Sequence, residues 1–347
     1  MRIAVATHTM AGRGGLERTV ELQVRGLRRR GHEVELVCGP SLGSGRVARA
    51  ASGALLAARG PRRLRSFDVV LAHYAPAPWL ACRSGVPFVY FFHHPFRGAY
   101  PTPLQQKRPS FRAWHAAVGP LGQLEDRAVR AAASVLVPSP SVAAELMDLH
   151  AITAEVAPIG VDTSLFAPDP DVANEGHLLF VGRLDEGYKH LDWASFVAER
   201  LGLNLRAVGP GRPRRGPLGS HVHLVGRKDG AALVEEYRRA AALVFPSVGE
   251  DYGLVPLEAL ACGLPVVAFD DGHGPSTTLR GESGGVLVTP VDLDALARAV
   301  ADSLRPARRA ELVALGPAWV QAHYSLEHHL SVVEGKLLEA LKCPVRL

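Results

Sequence analysis

The stretch "ALVFPSVGEDYGLVPLEALACGLPVVAFD", residues 242–270, changes periodicity twice. "ALVFPS" (242–247) is an apolar run of strand length that stops at Pro-Ser. Pro256 suits the first turn of a helix, where a missing N–H removes no bond. Leu257, Leu260 and Ala261 then recur at helical spacing. "PVVAFD" (265–270) is a second apolar run. The order strand, loop, helix, strand is the repeating unit of an α/β protein with a parallel sheet.

Within this unit Glu250 falls in the loop and Glu258 about one turn into the helix. Gly253 lets the backbone approach a partner closely. A helix N-terminus favours anions, because its free N–H groups point outward and its dipole is positive there. An anion held on the amides of Gly253, Leu254 and Val255 would have one carboxylate on either side. The carboxylates would repel the anion but accept hydrogen bonds from hydroxyls, and a nucleotide sugar has that shape. Taken alone, the ten residues 249–258 fit equally well a solvated loop Glu followed by a Glu in a first helical turn.

The same alternation extends in both directions. "RIAVAT" (2–7) reads as a strand, Leu16, Val20, Val24 and Leu27 mark one helical face, and "EVELVC" (33–38) is a second strand. "DVVLAHY" (68–74), "PFVYFFH" (87–93) and "ASVLVPS" (133–139) continue the first series. Residues 158–176 are rich in Pro, Asp and Gly and lack sustained periodicity, as an interdomain linker does. A second series follows with "HLLFVGR" (177–183), "LNLRAVG" (203–209), "VHLVGR" (222–227) and the two runs above. The expected organisation is two Rossmann-like, doubly wound α/β domains, residues 1–165 and 166–318. Residues 319–347 form a helix that crosses back to the first domain. Two such sheets are expected to face each other across a cleft at the carboxyl ends of their strands, where ligands of these sheets bind.

Composition narrows the classes. With 47% apolar and 21% charged residues, 347 residues are ample for two cores. The four cysteines are scattered without a CxxC pair, which argues against a zinc cage or disulfide framework and for a reducing, cytoplasmic location. No run approaches the ~18 apolar residues of a membrane span. Residues 1–165 carry a formal +9 and residues 166–347 a −4. A basic N-terminal half suits an anionic acceptor or a peripheral contact with an anionic membrane at the inner face, and equally an Arg-decorated solvated surface. No nucleic acid is expected, since the Arg residues are spread over several segments without a recognition motif.

Three further motifs bear on chemistry. "AGRGGLE" (11–17) follows the first strand, but Glu17 occupies the third glycine of a dinucleotide fingerprint. Gly14 and Gly15 fit a close approach to phosphate, or a plain tight turn. "VGRLDEGYKH" (181–190) sets Arg183 and Lys189 at the mouth of a strand, where two cations suit a diphosphate or a solvated surface. Asp169/Asp171 and Asp292/Asp294 form DxD strings. The first lies in the linker and the second reads as a helix N-cap, so no metal site is expected. The pairs His221/His223 and His328/His329 lack metal-ligand spacing.

Taken together, these motifs resemble the retaining glycosyltransferases of family 4, which have the GT-B fold. The resemblance spans nearly the whole chain. "PSVGEDYGLVPLEALACGLPVVA" (246–268) looks like that family's Glu-seven-residues-Glu signature. "PIGVDTSLF" (158–166), "VGRL" followed by Lys189, "VGPG" (208–211) and "GESGGVLVTPVD" (281–292) match in order and spacing. The resemblance implies a nucleoside-diphosphate sugar, with a UDP-sugar expected, as donor substrate and no further cofactor. It implies that Arg183 and Lys189 hold the leaving diphosphate, Glu258 the ribose and Glu250 the transferred sugar. The amides of Gly15 and of residues 253–255 would cap the phosphates, and His93 would lie beside the donor sugar. Gly14, Arg227 and Tyr252 join the expected substrate-binding set. The sequence departs from the family at His190, where Gly is usual. It also departs at His273 within the turn 272–275, and at the acidic residue expected after that turn, near Thr277.

The activity implied is metal-independent transfer of a sugar to a hydroxyl on a small natural product, a glycan or a lipid-linked acceptor. A nucleotide-sugar 2-epimerase of the same fold and a non-catalytic sugar-nucleotide-binding subunit are the alternatives. Residues 91–114 mix Phe91, Phe92, Phe96, Tyr100, Phe111 and Trp114 with Arg97, Lys107, Arg108 and Arg112. This segment suits either an acceptor loop or packing of the first core.

Overall fold

The structure, a computed structural model, describes all residues except 9, 11–14, 41–54, 57, 59, 96–120, 214–217 and 343–347. The chain divides into two compact units, Met1–Pro158 with His329–Leu347, and Ile159–His328.

The first unit is built on six parallel strands: β1 (Arg2–Ala6), β2 (Glu33–Val37), β3 (Val69–Ala72), β4 (Phe88–Phe91), β5 (Ser134–Val137) and β6 (Glu155–Val156). Their order is β2-β1-β3-β4-β5-β6. Successive residues of β3 and β4 are buried on both faces. That is why these strands read as unbroken apolar runs, as in sheets covered on both sides by helices. The helices described are α1 (Gly15–Arg29), α2 (Ala77–Ser84), α3 (Leu121–Ala131) and α4 (Pro140–His150). Val20, Val24 and Leu27 face inward on α1, as their spacing predicts. Ser139 caps α4 by accepting the Val142 N–H, with Pro140 in the first turn.

The second unit repeats the plan with β7 (Leu178–Val181), β8 (Leu205–Val208), β9 (Val222–Gly226), β10 (Ala242–Phe245), β11 (Val266–Phe269) and β12 (Gly285–Val288). The order β12-β11-β10-β7-β8-β9 is the doubly wound arrangement with its switch point between β7 and β10. Its helices are α5 (Leu191–Leu201), α6 (Ala231–Arg239), α7 (Leu254–Ala261), α8 (Gly274–Thr278), α9 (Leu293–Ser303) and α10 (Pro306–His323). A last helix, α11 (Leu326–Ala340), passes from one unit into the other at His329. Within the first unit it packs on α1, and Leu330 lies so close to Gly26 that a Cβ there would stand 2.2 Å from it.

Three stretches differ from their sequence reading. Residues 159–176, read as linker, pack onto the second unit. Phe166 is 1% exposed, with its ring against Tyr237, and Val161 bridges to Ser325. A Pro- and Asp-rich segment without periodicity still buries Ile159, Val161 and Phe166, while Leu165 stays exposed. β6 and β12 carry no strand signal of their own, because one has two residues and the other is embedded in a Gly-rich stretch.

Candidate active site

At the switch point of the second sheet, β10 ends at Phe245 and α7 begins at Leu254. Gly253 precedes the helix at φ +89°, a left-handed conformation open to glycine, and no side chain caps α7. The first N–H groups of a helix lack intrahelical acceptors, so the Leu254 and Val255 amides are oriented for an external one. Pro256, within the first turn, gives up no bond. The loop carrying Glu250 is held on both sides. The Gly249 N–H donates to Asp271 Oδ2 at 2.6 Å, and the Glu250 carbonyl accepts the Gly274 N–H at 2.8 Å. Gly274 makes this approach feasible, since a Cβ there would lie 2.4 Å from the Tyr252 backbone.

Lys189 reaches the same place from β7 through a short 3-10 turn, Gly187–Lys189. It is 9% exposed, and its ammonium is ion-paired with the Glu250 carboxylate. The Nζ atom lies 5.4 Å from the centre of the Phe245 ring and 5.0 Å from that of Tyr188, so both rings face the cation. Burial and the nearby Glu250 and Glu186 carboxylates raise the Tyr188 hydroxyl above its ordinary pKa. Arg183 also follows β7. Its guanidinium is half exposed and meets Glu186 at 3.0 Å and Asp185 at 3.4 Å. Lys189, Glu250 and the start of α7 thus come together, with Arg183 on the strand-end loop that leads to Lys189. His190, in the position usual for glycine, holds φ +50° and stacks on Trp193 with ring centres 3.6 Å apart. The stack supports a backbone conformation that β-carbon-bearing residues seldom adopt.

Glu258 lies on α7 and is 3% exposed, with Oε2 accepting the Tyr237 hydroxyl at 3.0 Å. Arg227 follows β9 and forms a bidentate pair with Asp229 at 2.9 and 3.1 Å. The Tyr252 ring is buried, and its hydroxyl donates to the Ile159 carbonyl at 2.7 Å. This contact ties the loop to Ile159 within the second unit. One carboxylate of each DxD string is engaged. Asp169 accepts from Arg238 at 3.2 Å and from the Asp171 amide. Asp292 caps α9 through the Ala295 N–H at 2.6 Å, as its sequence context predicts.

In the first unit Gly15 opens α1, whereas Gly14 lies outside the described residues. Phe91 and Phe92 are buried in the core, while Phe96, Arg97, Tyr100, Lys107, Arg108, Phe111, Arg112 and Trp114 lie outside the described residues. His93 is half buried at the carboxyl end of β4, with Nε2 2.9 Å from His73 Nδ1. His73, Asp271 and Tyr237 escaped the sequence reading. His73 had a signal, because "DVVLAHY" and "PFVYFFHH" are neighbouring strands that both end at histidine. Asp271 and Tyr237 act through contacts 22 and 21 residues away, which leave no local pattern.

The family described as Glycosyl transferases group 1 matches residues 175–305, and Glycosyltransferase Family 4 matches residues 13–165. The D-inositol 3-phosphate glycosyltransferase of Acidothermus cellulolyticus is 30% identical over 333 residues, covering 82% of this chain and 69% of that protein. Among solved structures, sucrose-phosphate synthase from Thermosynechococcus elongatus superposes with a TM-score of 0.80 at 22% identity, over 98% of this chain and 99% of that one. Anabaena HepE in complex with UDP-glucose gives 0.74 at 16% identity, over 97% and 99%. Both have the two-sheet architecture described above.

Proposed function

The chain belongs to family 4 of the glycosyltransferases, with the GT-B fold, and from that premise we propose that it transfers a sugar from a nucleoside-diphosphate sugar to an acceptor hydroxyl, with retention and without a metal ion. The observation that carries this reading is the Lys189–Glu250 pair beside the uncapped start of α7. A cation and helix amides meet there, at the switch point of a doubly wound sheet. Departure of a nucleoside diphosphate builds charge on its oxygens. Preorganised cations and amides stabilise that charge, each donor being worth about 10²–10³ in rate. We assign this role to Lys189, Arg183 and the Leu254 and Val255 amides. Glu250 orients hydroxyls of the transferred sugar, and Glu258, held by Tyr237, those of the ribose. To the Gly15 amide of the first unit we assign a contact with phosphate, and to His93 the role of a donor to a substrate oxygen, with Gly14 part of the same proposed binding motif in sequence. In a retaining reaction the acceptor attacks from the face the diphosphate leaves, and the departing phosphate takes the acceptor proton.

A UDP-sugar is the proposed donor, supported by the UDP-glucose complex of the structural neighbour HepE. For the acceptor, the +9 charge of residues 1–165 supports an anionic polyol or a lipid-linked headgroup, and relatives named for D-inositol 3-phosphate support the first. A cytoplasmic location with a peripheral contact at an anionic membrane face fits the same charge. No helix among the described residues is long and apolar enough to cross a membrane. The test is incubation with a panel of nucleotide sugars and acceptors, inositol phosphates included, with the anomeric configuration of the product read by NMR. Transfer with retention is the expected result. Interconversion of sugars on the nucleotide without an acceptor would mark a 2-epimerase instead, and inversion would overturn the proposed mechanism.

A further inference from the structure

Two histidines close neighbouring strands of the first sheet: His73 directly follows β3, and His93 follows β4 after one residue. His73 is fully buried, and its Nδ1 lies 2.9 Å from His93 Nε2. One nitrogen must donate and the other accept, so the contact fixes the two tautomers together. If His93 Nε2–H donates, His73 must carry its own proton on Nε2. That atom is buried and has no hydrogen-bond partner among the described residues. A buried orphan N–H is rarer and costlier than a buried lone pair without a donor. The favoured arrangement is therefore His73 Nδ1–H donating to His93 Nε2. His93 then carries its proton on Nδ1.

The surroundings agree. Other titratable groups facing the pair are His94 and Tyr74 from the strand ends, His8 beside Tyr74, and His329 from α11. His329 donates Nδ1–H to the Pro158 carbonyl at 2.7 Å, and its Nε2 lies 3.0 Å from the Gln23 amide nitrogen. Burial, with His329 adding to it, lowers His73 to about 3. Burial and the neighbouring histidines hold His93 well below its ordinary value.

We propose that His73 is a positioning residue that holds His93 as a neutral Nδ1–H donor aimed at a substrate oxygen. His93 is thereby prevented from acting as a base through Nε2. The role of His93 toward substrate rests on the glycosyltransferase reading above, whereas the tautomer does not.

The experiment is long-range ¹H–¹⁵N NMR of the histidine rings in the full chain, with His93 assigned by loss of its signals in His93→Gln. The expected spectrum is a neutral Nδ1–H ring that persists from pH 8 to 5. A neutral Nε2–H ring, or protonation near the ordinary value of about 6.5, overturns the proposal whether or not the protein transfers sugar. In His73→Phe, His93 is expected to lose its fixed tautomer and to titrate closer to the ordinary value. Turnover should fall about tenfold or more, the worth of one oriented hydrogen bond, with a new acidic limb in its pH profile. His73→Asn places an amide donor near the Nδ1 position. It should restore the Nδ1–H spectrum and most of the turnover. Equal loss of turnover in both variants with an unchanged His93 spectrum would make His73 merely structural and overturn the inference.

Discussion

Sixty-one residues apart in sequence, Lys189 and Glu250 are joined by an ion pair at the switch point of the second sheet. The cation assigned to the leaving group and the carboxylate assigned to the transferred sugar are thus one unit. Both are largely buried, so each constrains the other's position. The charges act in opposite directions on a diphosphate, and this separates their variants. Lys189→Met keeps the bulk and removes the cation, and is expected to lower turnover by about 10²-fold or more. It should also weaken binding of bare nucleoside diphosphate. Glu250→Gln removes a charge that repels the diphosphate, so binding should be retained or tightened. Turnover should fall because the sugar loses its orienting acceptor. Calorimetry with the nucleoside diphosphate, beside steady-state kinetics, checks both. Loss of binding in Glu250→Gln would remove the assignment of Glu250 to the sugar.

Asp271 holds the Glu250 loop from the other side. One oxygen accepts the Gly249 N–H and the other the His273 N–H, at 2.6 and 3.1 Å. Asp271→Ala leaves the exposed Gly249 amide to water and should cost about 0.5–1.5 kcal/mol of stability. Turnover should drop about tenfold as Glu250 loses its fixed backbone. Asp270, one residue earlier, is a contrasting position, because its pairing is with Arg280 at 3.4 Å. Asp270→Asn should leave turnover unchanged. Equal effects in the two variants would argue against a specific role for Asp271.

Tyr237 supports Glu258 through a buried hydrogen bond. Tyr237→Phe keeps the ring and removes the donor. Affinity for the bare nucleoside diphosphate should fall about threefold to tenfold, the range of a typical net hydrogen bond lost from the support of Glu258. Turnover at saturating donor should change little, since ribose is remote from the breaking bond. A selective loss of turnover with intact affinity would mean that Glu258 acts elsewhere.

The strand framework was legible because apolar runs of four or five residues ended in Gly, Pro or polar turns. Val69–Ala72 and Val266–Phe269 are buried on both faces and advertise it. The Glu-seven-residues-Glu spacing located the loop and the first turn of α7. It did not show that Lys189 would pair with Glu250, because such a contact depends on two loops converging from β7 and β10. The contact of Tyr252 was hidden for a related reason. Its position within the signature suggested a ligand, whereas its hydroxyl is engaged by a carbonyl 93 residues away. The segment 159–176 misled through composition, since Pro and Asp describe its turns but not the burial of Phe166.

The DxD strings give a prediction that separates stability from chemistry. Asp292 caps α9, so Asp292→Ala should cost about 1 kcal/mol. If no metal is used, turnover should be unchanged in that variant and in the presence of EDTA. Thermal unfolding and transfer assays with and without chelator check this. Inactivation by EDTA, reversed by Mg²⁺ or Mn²⁺, would require a metal in the reaction.

The histidine pair makes the first unit sensitive to acid in a calculable direction. Burial holds His73 at about 3, below the unfolded value of about 6.5. Because the folded pKa is lowered, the stability tied to His73 is fully present above about pH 6.5. It is lost as pH falls towards 3, at about 1.4 kcal/mol per pH unit. His93 acts in the same sense. His150 acts in the opposite sense. Burial pushes it down, but hydrogen bonds to Glu125 and Asp126 outweigh that and raise it. Its contribution is therefore present at low pH and is lost as pH rises through its raised folded value. Wild type alone mixes these effects, so the informative quantity is the difference from His73→Phe, which keeps Glu125, Asp126 and His150. Between pH 6.5 and 5 wild type should lose about 2 kcal/mol or more relative to that variant, because His93 also gives up part of its lowered value there. Denaturant unfolding of both proteins at pH 7, 6 and 5 measures it. A difference independent of pH would mean that His73 takes up a proton as readily in the folded chain as in the unfolded one, and that the strand ends do not hold it neutral.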